Sequence, residues 1–162
     1  GLKLLNDNSI DFRQQMLKNK IDDLDAVLYT HHHVDHINGM DDLRQMTQKH
    51  DKFIKLFGNK TTIDELKITF RYVFDKELIM HRAVPLVNFN YIGNNNFKLD
   101  GVEIIPVERL PGNLKIFGYR INKFAYITDC SSIPDIELNK LEGLKARIIN
   151  ALRIRRHPTL FN

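Results

Sequence analysis

The sequence predicts a mixed α/β fold, and three features carry that reading. A short apolar run, L-D-A-V-L-Y-T at 24–30, has the length and the β-branched and aromatic content of a buried strand. Two later segments, F-K-L-D-G-V-E-I-I-P and L-K-I-F-G-Y-R-I-N-K-F-A-Y-I-T-D, each set a two-residue turn between alternating strands, so part of the sheet is antiparallel. Elsewhere apolar residues recur at helical spacing.

In chain order, Phe12, Met16, Leu17 and Ile21 mark the inward stripe of a first helix, with Ser9 as its N-cap. The strand at 24–30 follows. Gly39 opens a second helix with Met40, Leu43 and Met46 on one side, and Phe53–Phe57 reads as a strand ended by Gly58-Asn59. Thr62 and Glu65 form a capping-box pattern for a helix that carries Leu66, Phe70, Val73 and Phe74 inward. After Pro85 the pattern turns to β and the two hairpins follow. Ser132 or Asp135 starts a short helix that Gly143 ends, and residues 146–152 read as a last strand. Helices and strands intermix, which favours a mixed arrangement over a doubly wound one. With 162 residues, one domain over 1–162 is expected.

Composition excludes several classes. With 43% hydrophobic and 27% charged residues the chain can build a core and is not a disordered segment. No apolar run approaches the roughly 20 residues that span a bilayer. No signal-peptide pattern is present, and Cys130 is the only cysteine, so a reducing cytoplasm is the expected compartment. The net charge of +4 is a mild basic excess. The cluster R-I-R-R at 153–156 reads first as a solvated end of an element, because no aromatic stacking platform accompanies it; an anionic substrate or nucleic acid is the weaker reading. The chain begins on Gly1 and stops at Asn162 with both ends reading as cut, so the domain is expected to be partial, with a sheet edge that a homo-oligomer would cover.

The chemistry is concentrated in T-H-H-H-V-D-H at 30–36. Imidazole and carboxylate are the common ligands of zinc and related divalent ions. In an extended segment alternate side chains share a side, so His31 and His33 can reach one ion while His32 turns away; Asp35 and His36, further along the turn, can reach a second. A fortuitous surface cluster and a purification tag are the bland alternatives. The cluster is internal and interrupted, which a tag is not.

The segment T-H-H-H-V-D-H-I-N-G (30–39) resembles the H-x-H-x-D-H signature of the metallo-β-lactamase fold superfamily. Further stretches resemble one branch of it: D-F-R-Q-Q-M-L (11–17), L-D-A-V-L-Y-T-H (24–31), G-M-D-D-L-R (39–44), G-Y-R-I (118–121), A-Y-I-T-D-C-S-S-I-P (125–134), and A-L-R (151–153) with H-P-T (157–159). That branch holds the phosphoribosyl cyclic phosphate phosphodiesterase-like metal-dependent hydrolases and is similar to the tRNA 3′-processing endonucleases. The resemblance implies an αββα sandwich with a dinuclear site of zinc or manganese. His31 and His33 would hold the first ion, Asp35 and His36 the second, and Asp129 would bridge them. It implies phosphodiester hydrolysis of a small substrate by a metal-bound hydroxide, with Asp35 orienting the water and taking a proton.

The sequence departs from that pattern in three places. The family's metal histidine after P-V is missing from P-V-E-R-L-P-G-N-L (106–114), where Glu108 is the substitute ligand and Arg109 would oppose a cation. Leu160 stands where H-P-T-H has its last histidine. The chain stops before a final T-H-x-S-H-type segment. His50, His81 and His157 are the remaining candidates for lost ligands, and Cys130 reads as a small buried residue. The alternative to a hydrolase with one or two ions is therefore a degenerate relative that binds without turnover. Nucleic-acid processing rests only on the basic balance and distant kinship.

Overall fold

Leu4–Asn6, too short to stand out from sequence patterning, forms the first strand (β1) and lies parallel to Ala26–Leu28 (β2), with Leu5 opposite Val27. In the computed structural model, residues 1–109, 115–129 and 132–149 are described. The chain divides into two units, Gly1–Tyr91 and one that begins at Ile92.

In the first unit, helix α1 (Phe12–Asn19) joins β1 to β2. The site segment contains the four-residue helix α2 (Val34–Ile37). A 3-10 turn at Met40–Asp42 runs into α3 (Leu43–His50), which leads to β3 (Ile54–Gly58). Helix α4 (Lys60–Thr69), a 3-10 turn at Arg71–Phe74 and α5 (Lys76–Met80) lead to β4 (Val87–Tyr91). The four strands are parallel in the order β1-β2-β3-β4. As an inner strand, β2 is buried throughout, which is why its sequence is a continuous apolar run rather than an alternating one. Val27 and Leu56 from the sheet pack with Phe12, Met40, Leu43, Met46, Ile63, Leu66, Phe70 and Val73.

Four helix details differ from expectation. Leu17 is 65% exposed and Ile21 lies beyond the helix, which ends at Lys20 in a left-handed conformation. Phe12 and Met16 face the core, whereas Leu17 is one residue, about 100°, further round the helix. Ser9 accepts the Phe12 N–H through its main-chain carbonyl, not its side chain. The cap of α4 is Asn59, whose Oδ1 accepts from Thr62 N–H at 2.8 Å; Thr62 lies inside the helix and is buried. Leu66, Phe70 and Val73 point inward, but Phe74 is 46% exposed and stacks on Phe89 with ring centroids 5.2 Å apart.

At the entry to β2, Lys52 bridges Asp23 and Asp25, and Lys3 bonds Asp23 at 3.0 Å. The Lys52 ammonium beside Asp23 draws its carboxyl down to about 2, against the partial burial that opposes it. A carboxyl whose folded pKa is depressed adds stability above its unfolded value and loses it as pH falls through the folded one. Acid titration from pH 5 to pH 2 should therefore remove about 1 kcal/mol of unfolding free energy after allowance for solvent screening. In Asp23→Asn this component should be absent; an identical pH profile for the variant in urea melts would refute the assignment.

The second unit is built on the order β5-β6-β7-β8-β9. β5 (Phe97–Leu99) and β6 (Val102–Arg109) form the first expected hairpin, and both turn residues, Asp100 and Gly101, adopt positive φ (48° and 83°), as a type I′ turn requires. β7 (Ile116–Ile121) and β8 (Phe124–Ile127) form the second. Helix α6 (Asp135–Leu138) starts at the later of the two expected positions, and Gly143 follows with φ 69°. β9 (Ala146–Ile149) lies parallel to β8. The remainder of that expected strand, Cys130, the basic cluster 153–156, His157 and Leu160 lie outside the described residues. No described helix is long and apolar enough to cross a membrane.

Candidate metal centre

Parallel strands deliver their carboxyl ends to one edge of a sheet, where ligands commonly gather. β1 and β2 both end there, and the residues that follow them meet. Asp7, just past β1, is 7% exposed and holds a left-handed φ of 55°, tied down by its N–H donating to the Leu28 carbonyl at 3.1 Å. Thr30, just past β2, is fully buried, donates its N–H to Asp7 Oδ1 at 2.8 Å and places its hydroxyl 2.9 Å from Asp7 Oδ2.

These contacts set the tautomers of two histidines. Asp7 Oδ2 also lies 2.8 Å from His36 Nδ1. An ionised carboxylate only accepts, so both His36 Nδ1 and the Thr30 hydroxyl donate to it. With its own proton committed to Asp7, the Thr30 oxygen accepts from His31 Nδ1, 3.0 Å away. With Asp7 ionised, both imidazoles carry their proton on Nδ1, which makes Nε2 the ligating nitrogen of each. Burial pushes the Asp7 carboxyl above the usual carboxylate range, while His36 and Thr30 pull it back. Neither Asp7 nor Thr30 was singled out in the sequence reading; the signal was a lone acid immediately after a short apolar strand, N-D-N, opposite the strand that precedes the histidines.

Four of the expected residues converge. The fully buried His31 ring lies 4.4 Å, centroid to centroid, from His33 and 4.1 Å from His36. His33 is exposed, as is Asp35 on the first turn of α2, with Oδ2 3.5 Å from His36 Nε2. His32 packs 5.7 Å from His33, and burial lowers its pKa, so it stays neutral beside them. In these tautomers the His36 Nε2 lone pair and the Asp35 carboxylate, both acceptors, face each other. A cation reconciles them: two ligands of one tetrahedral ion with bonds of about 2.0–2.1 Å stand about 3.3 Å apart. The residues present fit a divalent metal.

Asp129, the fifth expected residue, lies in the second unit in the bend after β8, half-buried, with φ 51°. The other candidates are engaged elsewhere or turned to solvent. Glu108 accepts from Asn94 and pairs with Lys115 at 3.1 Å. His50 Nε2 meets the Asp22 carbonyl at 2.9 Å, and His81 is exposed after α5.

A close backbone approach holds α2 in place. The Asn8 N–H donates to the His36 carbonyl at 2.9 Å, Gly39 N–H donates to the Asn8 carbonyl at 2.8 Å, and the buried Tyr29 hydroxyl donates to Asn8 Oδ1 at 2.8 Å. A Cβ at position 39 would stand 2.5 Å from the Ser9 carbonyl oxygen and 2.9 Å from that of Asn8. Gly39→Ala should therefore cost about 3 kcal/mol, since two main-chain carbonyl oxygens leave little room to yield. Urea denaturation within about 0.5 kcal/mol of wild type would contradict that packing.

Comparison with known proteins bears on the family of the chain. A family model described as a beta-lactamase superfamily domain matches residues 3–161. The crystal structure of a diphosphatase from the PhnP family is 36% identical with a TM-score of 0.84, covering 96% of this chain and 58% of that one. An octanoyltransferase of Porphyromonas gingivalis (strain ATCC BAA-308 / W83) is 34% identical over 161 residues, which is 98% of this chain but 32% of that protein. Zn(2+)-bound PqqB from Methylobacterium extorquens shares the fold at 21% identity, with a TM-score of 0.67 over 91% of this chain and 56% of that one. The chain thus spans little more than half of either solved structure and about a third of the transferase. It belongs to the metallo-β-lactamase superfamily, in the branch that includes the PhnP family.

Proposed function

We propose that this chain carries the metal site of a phosphoester hydrolase acting on a small phosphodiester. The observation that supports this most is the Asp7–Thr30 relay, which presents His31 and His36 as Nε2 donors next to Asp35. In this reading His31 and His33 hold one zinc or manganese ion, and Asp35 with His36 supplies ligands for another. Asp129 adds a shared carboxylate, on the pattern of the family. A divalent ion held there would supply hydroxide near neutral pH and steady the charge that builds on phosphorus. Asp35, exposed at the rim, orients the attacking water and takes its proton. The likeness to a diphosphatase favours a phosphorus centre as the target. The transferase named above is a much longer protein, and its name adds nothing about this region. The single cysteine is in keeping with a reducing cytoplasm.

One observation favours a second reading, a metal-binding relative without turnover: Glu108, the candidate replacement for the missing histidine, is committed to Asn94 and Lys115. Assay of the purified chain with bis(p-nitrophenyl) phosphate separates the two. Hydrolysis that needs added Zn²⁺ or Mn²⁺ and disappears with chelator or in His31→Ala supports the hydrolase. Metal binding lost in His31→Ala, with no hydrolysis at any metal concentration, supports the second reading, and hydrolysis indifferent to chelator refutes both.

A further inference from the structure

We infer that His32 is a positioning residue for the metal centre: its ring keeps the His33 imidazole in a ligating orientation by shape, without binding the ion itself. The inference rests on the metal reading proposed above, and every residue it involves belongs to Gly1–Tyr91. Two of the other histidines are oriented by hydrogen bonds behind the ring. His31 Nδ1 meets the Thr30 hydroxyl at 3.0 Å, and His36 Nδ1 meets Asp7 Oδ2 at 2.8 Å. His33 differs. It stands at the N-cap of α2, where its main-chain carbonyl accepts the His36 N–H at 2.9 Å, but its side chain makes no capping bond and the residue is exposed. The backbone is therefore fixed while the ring can still turn, and an ion that takes this ligand must offset the entropy of stopping that rotation.

Two neighbouring rings restrict it instead. His31 meets the His33 ring at 4.4 Å and 73°, and His32 meets it at 5.7 Å and 75°, both close to the edge-to-face arrangement that π systems favour. His31 is itself a ligand in the reading above, so its contact cannot be removed without removing a bond to the ion. His32 is the contact that can. It is half-buried, near enough to Glu65 of α4 to feel that carboxylate. Its Nδ1 is buried and has no hydrogen-bond partner among the described residues. A nitrogen shut off from both water and partners does nothing there that a carbon would not do, so the ring serves as a flat wall beside His33.

The experiment compares wild type, His32→Ala, His32→Phe, His33→Ala and the double variant His32→Ala/His33→Ala, each checked for folding by circular dichroism. Competition with a chromophoric chelator at substoichiometric Zn²⁺ gives the affinity for the first ion. His32→Ala should bind about 3- to 10-fold more weakly, the range of one edge-to-face ring contact, and His32→Phe should stay within about twofold of wild type. In the His33→Ala background the His32→Ala change should have no further effect, because the ring it acts through is gone. Ligation by His32 itself, or a general loosening of the fold, would lower affinity in that background as well. The inference is overturned by an effect that persists there, by a His32→Phe chain as weak as His32→Ala, or by a His32→Ala chain within about twofold of wild type. Should His33→Ala bind too weakly to measure, the phenylalanine variant decides: affinity near wild type supports the inference, and its loss overturns it. Should His32→Ala fail to fold, His32→Gln, which has no ring, takes its place. A wild-type chain that binds no Zn²⁺ defeats the metal reading and this inference together, whereas any of the overturning results on a wild type that does bind defeats this inference alone.

Discussion

Replacing Asp7 by asparagine is expected to weaken divalent-metal binding by about 10- to 100-fold while the chain stays folded. The reason lies in proton bookkeeping at one oxygen. In the native site Asp7 Oδ2 accepts from both the Thr30 hydroxyl and His36 Nδ1, and its Oδ1 accepts the Thr30 N–H. Asparagine has one accepting oxygen and one donating amide group. If the oxygen keeps the Thr30 N–H, the amide faces His36 Nδ1, which must then accept, and the ring proton moves to Nε2, the nitrogen a metal would use. Lost folding is not the explanation. Burial already penalises the Asp7 charge and raises its pKa, so a neutral amide relieves that penalty. By linkage, a carboxyl raised above its unfolded value of 3.8 makes the metal-free protein less stable as pH climbs from that value through the folded pKa. Asp7→Asn should lose this dependence. Competition against a chromophoric chelator measures the affinity, and imidazole ¹⁵N chemical shifts report the tautomer. An unchanged affinity with Nδ1-protonated His36 would show that the relay does not govern the site.

Sequence patterning recovered the elements whose burial is simple. β2 is legible because an inner parallel strand is apolar on both faces, and Asp100-Gly101 because a type I′ turn demands positive φ at two residues. β1 was missed because three residues carry no period, and with it went Asp7. The histidines could be read because their spacing along the chain is itself the ligand pattern. The relay behind them could not, since Asp7 and Thr30 are 23 residues apart and meet only through the parallel register of β1 on β2. Leu17 and Phe74 show the opposite failure, in which an apolar residue fits a helical stripe but the helix turns or ends before it reaches the core. Capping was misplaced by one turn in α4 for a related reason: Thr62 and Glu65 satisfy the pattern, but Asn59 stands at the strand exit where the first free N–H groups point.

Asp35 should separate ligation from catalysis. Its carboxylate is 77% exposed at the rim, 3.5 Å from His36 Nε2, so it can touch both an ion and a water that approaches from solvent. Asparagine keeps an oxygen that can ligate but cannot take a proton. Asp35→Asn is therefore expected to lower turnover of bis(p-nitrophenyl) phosphate by about 10²–10⁴ at saturating metal, with metal content retained. Asp35→Ala removes both functions, so metal affinity and turnover should fall together and activity should vanish. The contrast with Asp7→Asn is the discriminating point. Losing the residue that orients a ligand raises the metal concentration required, and excess metal restores the rate; losing the proton acceptor does not respond to metal at any concentration. An Asp35→Asn chain that turns over within about threefold of wild type would move the proton transfer to another group, since general-base removal costs far more than that.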